Sequence, residues 1–236
     1  MIKSLICAVR VQSVKVLLAA SLVAGTSLLS GTAKADFTNL STGASLTGNI
    51  DNNWTVVFPG QTNNQLETIA PGFPSPPWLS DAPSDASHWL VPVQYGQYNA
   101  PPSSGSPIDY VYTTSFTLNA DQLASASLSG QWASDNNTVS IKLNGGASLG
   151  SNSAANSYTT WSSLTTTTTG FVLGLNTLEF HVANLPSGGN NPTGFRFEGG
   201  VTSAAVPEPA SLVMSAVSTL MLGGLSWKRR LARRAV

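Results

Sequence analysis

The chain has 236 residues, 11 basic against 11 acidic side chains, only 9% charged residues and one cysteine. That length accommodates one domain with its own core beside targeting segments, and a single cysteine excludes an intrachain disulfide framework. The balance of charge conceals a strong segregation along the chain.

Residues 1–35 place Lys3, Arg10 and Lys15 ahead of an apolar run at 16–29 and close on Ala33-Lys34-Ala35, where small residues flank the cleavage point. This is the pattern of a secretory signal peptide presented to Sec-type export machinery, and it sets the mature N-terminus at Asp36. Cys7 lies inside the signal, so packing alone must stabilise the exported part despite its oxidising route.

From residue 36 to 205 the acids are Asp36, Asp51, Glu67, Asp81, Asp85, Asp109, Asp121, Asp135, Glu179 and Glu198. These ten carboxylates face only Lys142 and Arg196, a net charge of −8. Phosphate neutralisation needs clustered Lys and Arg, so nucleic acid is excluded as a partner. Ser, Thr, Asn and Gly are abundant instead, which suits an exported sheet protein.

The strand pattern is all-β. Residues 54–58 read as a short strand ended by Pro59-Gly60. Prolines then rule out helix across 61–87, which reads as a long ordered loop. Residues 89–93 contain Pro92 and read as an edge or irregular strand. Alternation over 110–118 places Tyr112, Thr114, Phe116 and Leu118 on one face, followed by a turn at Asn119-Ala120-Asp121. Residues 125–133 turn Ala126, Leu128, Gly130 and Trp132 to one side, and 138–143 do the same with Val139, Ile141 and Leu143. Residues 134–137 between them predict a hairpin. Asn144-Gly145 is a strong reversal signal, because both residues tolerate φ > 0. A short strand is expected at 147–149, and the threonine run 165–169 reads as an exposed strand or strand edge. Strands at 171–173, 177–182 (Leu178, Phe180 and Val182 inward) and 195–201 complete a predicted sandwich.

Residues 132–136, 139–145, 174–180 and 191–195, in that order, resemble the core of galactose-binding-domain-like jelly rolls. The resemblance implies an eight- or nine-stranded β-sandwich that binds sugars or polymers, or is purely structural. Members of that family sometimes hold Ca²⁺ where the first and last strands meet, which nominates Asp51 and Glu198 and a structural calcium; no other cofactor is expected. Catalysis has little support: no nucleophile elbow accompanies His88 or His181, and His181 between Phe180 and Val182 should face outward. Two carboxylates could serve glycoside hydrolysis, and Asp81 and Asp85 share a loop with Trp78 and Trp89, but loop acids more often serve turns. Ligand contact falls instead to Trp78, Trp89, Tyr95 and Tyr98, flat rings in or beside proline-rich loops on which a sugar face stacks; Trp54 and Trp132 belong to the core.

The last segment, 206–236, has three parts. Pro207-Glu208-Pro209 stays extended for lack of donors, residues 210–227 carry no charge, and Lys228, Arg229, Arg230, Arg233 and Arg234 follow Trp227. At about 1.5 Å per residue the apolar stretch nearly crosses a core of roughly 30 Å, with Trp227 at one interface. The five cations keep that end cytoplasmic. Pro207-Glu208-Pro209, Gly223-Gly224 and Lys228-Arg229-Arg230, in this order at the C-terminus, resemble the PEP-CTERM sorting signal. The resemblance implies cleavage by exosortase, a membrane transpeptidase-like enzyme of outer-membrane bacteria that make extracellular polysaccharide. The expectation is therefore an exported, non-enzymatic jelly-roll protein, transiently anchored in the inner membrane by its C-terminal helix. After sorting it would reside at the cell surface or beyond it and associate with polysaccharide. The alternatives are an ordinary single-span anchor, a surface protein with no specific ligand, and a glycan-active enzyme.

Overall fold

The computed structural model describes residues 35–61, 64–68, 76–94, 100–153, 157–188 and 191–204. Its strands are β1 (Asp36–Asn39), β2 (Leu46–Thr47), β3 (Ile50–Val57), β4 (Gln65–Thr68), β5 (Leu90–Pro92), β6 (Ile108–Leu118), β7 (Ser127–Asp135), β8 (Asn137–Leu143), β9 (Ser162–Thr167), β10 (Gly174–Asn184) and β11 (Gly194–Ser203). One short helix, α1 (Ala120–Leu123), follows β6. Every pairing between strands is antiparallel, and the path runs β8-β10-β6-β3-β4-β5-β11-β7-β9, with β1 added to β11 and β2 to β3. The described residues form an all-β domain, as their alternation predicts.

The sheet curls so that its two halves meet face to face. Phe180 of β10 lies 4.7 Å from Phe195 and 5.2 Å from Phe197 of β11, and 6.1 Å from Trp132 of β7. Trp54 of β3 reaches Phe195 at 5.1 Å, and Tyr112 of β6 stacks on the same ring at 4.9 Å. Alternation builds this core directly: Leu178, Phe180 and Val182 are sealed on one side of β10 while Glu179 and His181 face away. Trp54 and Trp132 are core residues, as expected. Where β7 meets β11, Gly130 pairs with Gly199, and a side chain on Gly130 would collide with the Phe197 ring. Missing side chains here make room for an aromatic one.

Several local expectations hold. Asn144 and Gly145 have φ of 52° and 67°, and the Gly146 amide closes the turn onto the Leu143 carbonyl at 3.0 Å. Residues 165–167 of the threonine run form the second half of β9, the last strand of the path. Four others are corrected. β7 and β8 form no hairpin: β7 pairs with β11 and β9 whereas β8 pairs with β10, so the chain crosses between halves at residues 135–137. Val139 is exposed because the β8–β10 register shifts between His181 and Val182, bringing Thr138 opposite Val182 and under cover. Phe171 packs on the core from a loop and 171–173 is no strand. Of the two readings of residues 89–93 the edge strand is the one overturned: Pro92 belongs to β5, which lies inside the path between β4 and β11 and meets β11 at one position, Leu90 opposite Phe195.

Smaller features were either weaker or invisible in the pattern. Residues 147–149 contribute one bridge, Lys142 to Ser148, and the Leu149 amide donates to the Ile141 carbonyl at 2.7 Å. The predicted turn after β6 is α1, whose Asn119 cap and Gln122 satisfy each other's amides at 2.9 Å. Strands β1, β2 and β4, of two to four residues, carry too little alternation to be read. Among the described residues no helix is long and apolar enough to cross a membrane. The apolar stretch 210–227 lies outside them, as do the signal peptide before Ala35 and the sorting motif.

Candidate functional site

The nominated loop aromatics lead to the outer face of the sheet. β5 sends Leu90 into the main core, so its neighbours Trp89 and Val91 point the other way, toward Ala133 of β7. There a second apolar cluster forms, with Trp78, Leu79, Tyr158 and Trp161 packed against it. Trp89 is completely buried and its indole donates to the Leu79 carbonyl at 2.9 Å. It presents no ring face to a ligand, which corrects its assignment as a stacking residue: a tryptophan at the start of a strand covered by its own loop becomes that loop's core. Trp78 is half-buried, 4.6 Å from Trp89 and 5.8 Å from Tyr158. It lies over Gly194, where any side chain would meet its ring. The Leu79 amide donates to the Tyr158 carbonyl at 2.8 Å, joining the two covering segments. Tyr95 and Tyr98 lie outside the described residues.

Charge is organised around Arg196 of β11. Its guanidinium is buried and donates from Nε to Ser87 Oγ at 2.9 Å, from one terminal nitrogen to the Ser80 carbonyl at 2.7 Å, and from the other to Asp85 at 3.0 Å. It also stands 5.0 Å from the centre of the Trp161 ring. The planar fork satisfies three acceptors on separate stretches of chain, a task for which a lysine lacks the geometry. Asp85 is held below the usual carboxylate range, first by the Ala82 amide and then by Arg196. Ser87 passes the chain of contacts on to Glu198, donating at 3.3 Å.

Asp81 contacts His88 Nδ1 at 2.7 Å and accepts the Trp89 amide at 2.8 Å. His88 packs beside Gly43, whose φ of 76° and close approach, 2.8 Å from a Cβ to the imidazole, leave no room for another residue. Asp81 and Asp85 are thus both engaged in holding the loop to the sheet. Asp51 accepts three amides, from Gly43 at 2.6 Å, Asn53 at 2.7 Å and Trp54 at 3.0 Å, while burial pushes its carboxyl up. Its oxygens serve as a backbone clamp, and Glu198 accepts from Ser87 at 3.3 Å. Among the described residues no group of three or more His, Cys, Asp or Glu is placed to hold a metal ion.

Two further groups stand out. Asp135, at the crossover from β7 to β8, is buried, and burial pushes its carboxyl up to about 7. Asn136 donates to it at 2.7 Å, and Thr193 donates to its backbone carbonyl at 2.9 Å. His181 faces outward as expected, 2.9 Å from Asp109 of the neighbouring β6.

The reading of the sequence missed Tyr158, Trp161 and Arg196. Arg196 had a detectable signal: a lone arginine between Phe195 and Phe197, in a segment with only one other cation, marks a strand buried on both faces. Tyr158 and Trp161 had none, since they lie in irregular chain beside the β9 threonines. The predicted processing residues Ala33, Pro207, Glu208 and Pro209 and the anchor residues Trp227, Lys228, Arg229 and Arg230 are outside the described residues. Ala35 is exposed at the start of the domain. Compared with known proteins, the chain matches no family model, no curated protein and no solved structure.

Proposed function

We propose that the chain is an exported, non-enzymatic surface or matrix protein, with a jelly-roll domain that associates with extracellular polysaccharide and a C-terminal signal cleaved by an exosortase. The observation that carries the reading is the contrast between the ends and the middle. An export signal and a sorting-type tail flank an all-β domain whose best candidates for chemistry, Asp81, His88, Asp85 and Arg196, are tied to structural partners. A carboxylate pair for glycan cleavage needs one acid to protonate and another free to attack or activate water, and neither Asp81 nor Asp85 is so disposed. What the domain offers a partner is a polar surface of net negative charge and half-buried rings.

Intact mass and fractionation of the native protein test the sorting half of this reading. A chain beginning at Asp36, ending within 207–209 and recovered from the surface or medium is expected. Retention of the full tail in the inner membrane would make the segment an ordinary anchor and overturn it. Co-sedimentation with the cells' own polysaccharide tests the binding half, and no enrichment leaves a purely structural coat protein.

A further inference from the structure

We infer that Trp78, Tyr158 and Trp161 form a docking shelf for a neutral, hydroxyl-rich polysaccharide strand on the outer face of β5, β11 and β7, away from the core between the sheet halves. This rests on the polysaccharide reading above and names its site and ligand class.

The three rings share one cluster and are half-buried, so each keeps part of its surface in water. They are fixed beforehand: Trp78 by buried Trp89 and Gly194, Tyr158 by the Leu79 amide, Trp161 by Arg196. A shelf ordered before binding loses little entropy on contact with a stiff polymer. Flat rings flanked by a few polar groups match the two kinds of surface a pyranose has, an apolar C–H face and a rim of hydroxyls.

Charge selects among glycans. An acidic polymer needs a cation, and Arg196 has its three kinds of nitrogen committed to Ser87, Ser80 and Asp85. Lys142, the other cation, sits on β8 across from Glu179, in the opposite half of the sheet. The groups tied to the arginine beside Trp161 are carboxylates, Asp85 directly at 3.0 Å with its side chain 33% exposed and Glu198 through Ser87, and carboxylates accept hydrogen bonds from sugar hydroxyls and repel uronates. The net charge of −8 from residue 36 to 205 acts in the same direction.

The test uses the full-length chain in detergent with three immobilised probes: a neutral glucan, a glucosamine polymer bearing free amines, and a uronate polymer. Binding to the neutral glucan that persists at high salt is expected. It should weaken about tenfold in Trp161→Leu and in Tyr158→Leu, which keep apolar cover but remove the flat face, with both variants still unfolding cooperatively above the assay temperature. Neutral binding that survives both substitutions overturns the assignment of this face and leaves the polysaccharide reading intact. Capture by the amine polymer alone, abolished by salt, shows charge attraction only and overturns it as well. A dimer that both substitutions dissociate means that a second copy covers the shelf. Failure of all three probes overturns the polysaccharide reading itself. If the leucine variants do not fold, hydroxyl-radical footprinting of the unmodified protein decides: glucan should protect Trp78, Tyr158 and Trp161, and unchanged oxidation at all three refutes the shelf.

Discussion

The inner core and the outer cover bury tryptophans by different means. Inside, Trp54, Tyr112, Trp132, Phe180, Phe195 and Phe197 come from alternating positions of long strands and pack on one another, with the Trp54 indole donating to the Leu40 carbonyl at 3.0 Å. Outside, Trp89 is buried by a loop, and the same cover encloses Arg196 with the serines and the aspartate that satisfy it. The inner region draws its stability from area removed from water, and the outer one from polar groups that must all remain paired. A cover of the second kind is sensitive to the loss of any one partner.

The largest effect should come from the inner region. Phe180→Ala removes a ring at the centre of four aromatic contacts and should cost about 3–5 kcal/mol, read as a lower urea midpoint with an unchanged slope. A loss below about 1 kcal/mol would mean that the halves of the sheet are not pressed together as described.

Next comes the crossover between the halves. Folded Asp135 keeps its proton up to about pH 7, whereas the unfolded chain releases it near the ordinary value of 3.8. Between those values the folded state binds more protons, so stability falls as pH rises from about 4 to about 7 and is constant above, by up to roughly 4 kcal/mol. Asp135→Asn should flatten that slope, stabilising the protein at pH 8 and changing it little at pH 4. Parallel slopes for the two proteins in urea titrations would place the proton elsewhere.

In the outer region, Arg196→Ala should cost about 3 kcal/mol, because Asp85, Ser87 and the Ser80 carbonyl lose their donor together. Arg196→Met, which refills the space without charge, should recover part of that loss. Equal effects from the two would show that packing on Trp161, and not pairing, is what the guanidinium supplies. Asp85→Asn is the smallest change. The lowered value of Asp85 adds stability that is present above the ordinary carboxylate range and lost as pH falls through it. With a third of the side chain in water, the substitution should cost under about 1 kcal/mol at pH 7 and progressively less as pH falls below the ordinary carboxylate value.

Much of the fold was legible in the pattern of side chains. Alternation marked β6, β7, β8 and β10 and most of their buried residues, since a period of two needs no knowledge of the partner strand. Asn144-Gly145 marked its reversal because positive φ is a local requirement. Val139 escaped, since a bulge depends on the register with β10. At the candidate site Trp78 was nominated for its loop and does reach the outer face; Trp89 was nominated on the same grounds and is sealed.

What the sequence by itself determined, then, is the class of the domain, the faces of its long strands and the segregation of charge between an acidic middle and basic ends. Those properties depend on residues within a few positions of one another. Tertiary structure alone decided that β7 and β8 part to opposite halves, that the loop before β5 folds back over the sheet, and that Trp161 joins Arg196 and Trp78 on one surface. Each of these is a choice of partner tens of residues away. Burial energy settles that choice only when the whole sheet has closed.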